Sequence, residues 1–272
     1  MTIKARNRFY MAFFLLSLFT LIFTLILVNF QRITQTLVIP QIMTELLKSS
    51  SSLFSYNSLF TFLGIFFEFF YLCAVSLMIL YAFYKTQSCE LAYFLIFLVS
   101  ILIDTFRIFI PLFQLADTYS TALITLSNII FTGKILGPVS LMSLVLFSDE
   151  DQRQNLEQNC AIIVVLCAFL AFVIPLNTAR LLPNYTMDFA FNKIISIALT
   201  LMVVISVISL MLNNHKNEVR QTMALGFFLM SIGAHILREC FSLLQLILGG
   251  LFITGGTLLY FKELHNKYLW NS

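Results

Sequence analysis

Residues 59–84 read LFTFLGIFFEFFYLCAVSLMILYAFY. A helix needs about 20 consecutive apolar residues to cross the hydrocarbon of a bilayer, and this run exceeds that with one charged residue, Glu68, set between two pairs of phenylalanines. Soluble strands and helices do not hold so long an apolar run. The stretch reads as a transmembrane helix, and the rest of the chain is of the same kind.

Of the 272 residues 60% are hydrophobic and only 11% charged, with 30 Phe and a mean hydropathy of +0.93. Soluble domains carry roughly a quarter charged residues, so lipid must be the solvent that accepts this surface. The reading is an all-α, polytopic transmembrane helical bundle forming a single integral membrane domain. No basic face with interleaved aromatics is present, so nucleic acid is not an expected partner. The five cysteines (Cys73, Cys89, Cys160, Cys167 and Cys240) form no CxxC pair and read as small apolar core residues. No A-x-A cleavage pattern follows the first apolar run, which reads as a retained helix and not a signal peptide.

Eight spans are expected, at 9–30, 59–84, 91–115, 121–147, 160–176, 189–212, 222–238 and 241–261. The last two are separated by little more than Arg238 and Glu239, so they form either a tight hairpin of two helices or one long broken helix, which would leave seven spans. With the N-terminus cytoplasmic, nine Lys and Arg fall on the inner side and four on the outer side. Merging the last pair makes this seven against six, so the excess of positive charge on the inner side favours eight. Both termini are then cytoplasmic, in a plasma or inner membrane. Within the outer connection 31–58, apolar residues from Leu37 to Leu47 recur at helical spacing and predict an amphipathic helix in the interface. Residues 149–154 are expected to form a solvated acidic loop.

Charges inside the spans carry the functional signal. Each ionised group at mid-membrane costs on the order of 3 kcal/mol, so Glu68, Asp104, Arg107 and Lys134 require partners. Lys193, His235 and Arg238 lie at a similar, outer depth. These seven residues are the candidate ligand or ion cluster, open to the outer side. Two carboxylates and two cations could equally form a self-neutralising network, with Asp104 and Arg107 paired along one helix. Lys134, within Gly133-Lys134-Ile135-Leu136-Gly137-Pro138, is the leading single residue. Pro138 frees a backbone carbonyl there, and the segment reads either as partly unwound or as a plain proline kink beside a Lys134–Glu68 pair. Gly249, Gly250, Gly255 and Gly256 are expected to permit close helix packing. Most of Phe66, Phe67, Phe69, Phe70 and Tyr71 are expected to face lipid. Tyr81, Tyr84, Tyr260, Tyr268 and Trp270 are expected to sit at the membrane interfaces.

No HExxH, GxSG, GxGD, DxxxD, Walker or dinucleotide pattern occurs, so no catalytic residue, metal or cofactor is assigned. Two functional readings follow. One is the binding or transport of a small polar solute or ion. The other is a membrane sensor or scaffold that signals through a partner membrane or cytoplasmic protein; only in layout does it resemble bacterial seven- or eight-helix sensor modules.

Overall fold

The computed structural model describes residues 3–33, 58–84, 88–115, 121–147, 156–212 and 219–269. The amphipathic helix expected over Leu37 to Leu47 and the acidic loop at 149–154 lie outside these residues, as do Tyr268's side chain and Trp270. The order is α1 (Ile3–Ile33), α2 (Ser58–Ala82), α3 (Glu90–Thr105), a single 3₁₀ turn (Phe106–Ile108), α4 (Phe109–Leu112), α5 (Thr121–Leu146), α6 (Leu156–Val173), β1 (Leu176–Leu181), β2 (Met187–Phe189), α7 (Asn192–Leu212), α8 (Val219–Arg238) and α9 (Leu243–Leu269). Among the described residues the chain is an all-α bundle, and its one strand pair is a short β-hairpin. Among the described residues seven helical segments are long and apolar enough to cross a membrane, with α3, the 3₁₀ turn and α4 counted as one. In α8 only Thr222–Arg238 is apolar.

The bundle is layered by burial. In the most apolar stretch of 90–112, 72% of residues are buried, against 11% in α7. The α3 segment and α5 are therefore central, while α1, α6 and α7 turn large apolar side chains such as Phe19, Val165 and Ile194 outward. Close approach of α3 and α5 depends on Gly133. A Cβ added there would lie 2.9 Å from the Ser100 carbonyl oxygen, so only glycine lets the backbones meet at this point. Pro111 explains the 3₁₀ turn that ends α3. It has no N–H for the Arg107 carbonyl, which accepts instead from Phe109 as the helix tightens.

α8 and α9 are two separate helices folded back on each other. Gly226 lies against Tyr260, Gly233 against Ile253 and Leu237 against Gly249, so the partners run in opposite directions. Only Glu239 to Ser242 connect them. Gly249, Gly250 and Gly256 each face a neighbouring backbone or side chain within 3.1 Å of an added Cβ. Gly255 faces open space and has no packing role.

The aromatic stretch of α2 is turned differently from expectation. Phe69 and Tyr71 are buried, Phe66 and Phe67 are half-buried, and only Phe70 is exposed. Ile65, Glu68, Phe69, Leu72, Val75 and Ile79 form the inward stripe, and seating Glu68 inside brings Phe69 in with it. The Tyr71 hydroxyl meets Thr257 of α9 at 2.8 Å. Tyr81 and Tyr84 are exposed at the end of α2, but Tyr260 is wholly buried against Phe94 and Phe261 and is not an interface residue.

Candidate functional site

The charged side chains of α2, α3, the 3₁₀ turn and α8 converge. Arg107 is wholly buried and donates through Nη2 to both Glu68 carboxylate oxygens, at 3.0 and 3.2 Å. Its Nη1 lies 3.6 Å from Asp104 Oδ2, the pair expected along one helix. Arg107 also donates to the backbone carbonyls of Leu237, at 3.2 Å, and Arg238. Those carbonyls belong to the last turn of α8, where the i+4 helical donor is missing; Leu237 also accepts from the Cys240 N–H at 3.2 Å. The guanidinium thus neutralises Glu68 and caps α8 in one stroke.

Arg238 reaches back from that turn. Its Nε donates to Asp104 Oδ1 at 3.0 Å, and its Nη1 lies 3.4 Å from the Lys134 carbonyl oxygen. The second contact has a cause in the sequence. Pro138 lies four residues beyond Lys134 and lacks the N–H that would bond that carbonyl, so an arginine from another helix supplies the donor. α5 itself continues through Thr121–Leu146 with Pro138 inside it. Lys134 is therefore on an intact helix, and the partly unwound segment does not form.

The Lys134 ammonium does not pair with Glu68. It donates to Asn192 Oδ1 at 2.8 Å, and Asn192 Nδ2 donates in turn to Asp188 Oδ1 at 3.2 Å. Among the described residues Lys134 has no carboxylate within ion-pair distance, whereas Arg107 has two, Glu68 and Asp104, and Arg238 has Asp104.

The β-hairpin lies over this cluster. Its strands pair Leu176 with Phe189 and Asn177 with Asp188, and the Phe189 ring stacks on Phe131 of α5 with centroids 3.9 Å apart. Asn184 in the turn donates through Nδ2 to Glu239 Oε2 at 3.0 Å and to the Arg238 carbonyl at 3.3 Å. Tyr185, buried at a φ of 64°, packs on Phe62. Asn184 was missed by sequence reasoning, although Pro183-Asn184 is ordinary turn chemistry. The end of the cluster that was expected to be open is covered by this hairpin.

Beneath the network lies a cavity of about 130 Å³ between α3, α5, α7 and α8. Glu68, Asp104, Lys134, His235 and Arg238 line one part of it, and the rest is mainly apolar, with Phe97, Ile101, Leu141, Leu199 and Val203 interspersed with Ser100, Ser196, Thr200 and Ser231. Two lining residues, Thr200 of α7 and His235 of α8, are exposed. They place the mouth of the cavity on the side of the bundle, between those helices. A second void of about 20 Å³ lies under the hairpin, and Asp104, Lys134 and Arg238 line both.

Of the seven candidate residues, Glu68, Asp104, Arg107 and Arg238 form one network, and Lys134 and His235 border the cavity. Lys193 is exposed on α7 and lines neither void, apart from the other six. Among the described residues no three His, Cys, Asp or Glu side chains gather closely enough to hold a metal ion. The chain matches no family model, characterised protein or solved structure.

Proposed function

We propose that this chain is a multi-pass membrane protein that binds and carries a small polar solute or ion through the cavity beside Lys134. One observation carries the reading: Asp104, Lys134 and Arg238 separate two voids and border both. A partition only one layer of side chains thick, built from polar groups with exchangeable partners, is what a solute would have to cross. Eight crossings with both termini cytoplasmic suit this arrangement, because they place the hairpin on the outer side. The cavity has room for roughly ten waters, at 10–15 Å³ of such volume for each, which suits a small solute and not a large one.

The test is flux in proteoliposomes, using a panel of labelled small anions, cations and neutral solutes. Wild-type protein is expected to move at least one of them, with the flux lost in Lys134→Ala and in Glu68→Gln. Thermal stabilisation by a solute without any flux would instead identify a sensor that signals through a partner protein. Full activity in cells from the folded double variant Glu68→Gln with Lys134→Met would remove the site altogether.

A further inference from the structure

The cavity's lining and the position of its mouth narrow the class of ligand. Glu68 has both oxygens engaged by Arg107, and Asp104 is held by Arg238. The two carboxylates of the cavity wall are thus matched by two guanidiniums, and Lys134 is the cation of that wall with no carboxylate within ion-pair distance among the described residues, although Glu239 shares the void on its hairpin side. An ammonium has three donors. One goes to Asn192, which leaves two for a ligand. Asp188 and Glu239 lie on the hairpin side, and neither lines the larger cavity. Asp188 accepts from Asn192 and from the Phe189 N–H, and Glu239 accepts from Asn184.

Away from this charged end the wall is mainly apolar, with a few serine and threonine hydroxyls, and it opens sideways where Thr200 and His235 are exposed. A sideways mouth between two apolar helices faces hydrocarbon once the bundle is in a bilayer. A ligand entering there would be at home in lipid and still carry a head that seeks a cation.

We propose that the cavity takes a small amphiphilic anion, a monocarboxylate with a single alkyl chain, its head on the Lys134 ammonium and its chain along Phe97, Leu141, Leu199 and Val203. This rests on the reading of the cavity as a solute site and adds the ligand's charge and shape.

Three probes of equal length and different charge test it: hexanoate, hexan-1-ol and hexylamine, each titrated at neutral pH against the full chain in nanodiscs, with thermal unfolding as the readout. Hexanoate is expected to stabilise the protein in a saturable way, and the other two not. Losing one hydrogen bond to a charged group should weaken hexanoate binding about ten- to hundredfold in Lys134→Met, with recovery in Lys134→Arg. If Lys134→Met does not fold, Lys134→Gln takes its place, and the wild-type comparison of hexanoate with hexylamine decides regardless. Stabilisation by hexylamine or hexan-1-ol equal to that by hexanoate, abolished by the cavity-filling Val203→Trp, would overturn the anionic class and leave the solute site standing. Hexanoate binding that survives in both lysine variants would also overturn it. No saturable effect from any of the three would overturn both.

Discussion

Arg107 does two jobs, and they can be separated. Replacing Arg107 by Met leaves Glu68 buried without its cation and removes one donor from each of the Leu237 and Arg238 carbonyls, which keep only the Cys240 N–H and Asn184 Nδ2. Breaking a buried pair in this way costs about 3–5 kcal/mol. Replacing Glu68 by Gln is milder, because Arg107 keeps Asp104 and both carbonyls; about 1–3 kcal/mol is expected. Thermal unfolding in detergent or nanodiscs should therefore rank Arg107→Met well below Glu68→Gln. The double variant Glu68→Met with Arg107→Met should recover only part of the loss, since the last turn of α8 still lacks the two bonds the guanidinium gave it. Equal losses for the two single changes, or full recovery in the double, would show that Arg107 acts on charge alone.

Arg238 and Lys134 show how far single residues could be read from the sequence. That ionisable groups inside the spans need partners was legible, and so was the carbonyl freed by Pro138. Which partner each group takes was not. That choice depends on how α2, α3, α5 and α8 are rotated about their axes, and the rotation is set by contacts such as Gly133 on Ser100. Glu68 goes to Arg107, and Lys134 is left to Asn192. Sequence spacing alone cannot distinguish that pattern from its alternatives.

At the scale of elements, the helices follow from long apolar runs and from the breaks between them. The faces they present do not. The phenylalanines of α2 cover its whole circumference, so only the need to seat Glu68 shows which of them turn inward. The hairpin left a fainter signal, the turn at Pro183-Asn184 between short runs of alternating residues, in a connection brief enough to pass for a loop. Glycine makes the sharpest prediction here. At Gly233 an added Cβ would sit 2.3 Å from the Ile253 backbone nitrogen, whereas at Gly255 it would meet nothing within 4 Å. Gly233→Ala must drive α8 and α9 apart and should lower the unfolding temperature sharply. Gly255→Ala should be neutral or stabilising by up to about 1 kcal/mol, as expected for an unobstructed helical glycine. The capping of α8 from the hairpin yields a second expectation. Asn184→Ala should loosen the turn over Arg238 and Glu239, read as faster amide hydrogen exchange at residues 182–190 with the α3–α5 core unchanged.

At the scale of the whole molecule, the decisive element is α8. Its apolar part is short because Ser231, His235 and Arg238 face the cavity, while its glycines press on α9. A helix covered on both faces can cross a bilayer without a full ring of apolar side chains. Its 20 residues give about 30 Å at 1.5 Å each, enough for the hydrocarbon core. The two ends of the chain bear on the same question. Arg6 of α1 donates to the Phe83 carbonyl at 2.6 Å, and the Phe83 ring meets Phe261 and His265 near the end of α9. The first turns of α1 and the last turns of α9 therefore share one end of the bundle, which supports the proposed eight crossings over seven. Reporter fusions can count them. Green fluorescent protein should fluoresce when joined at Ser272 and after Asp151, and alkaline phosphatase should be inactive at those two points and active in fusions that end near Pro183 or Cys240. An active phosphatase at Ser272 would mean an odd number of crossings; α8 would then lie outside the membrane, and the cavity it walls would lose its place there.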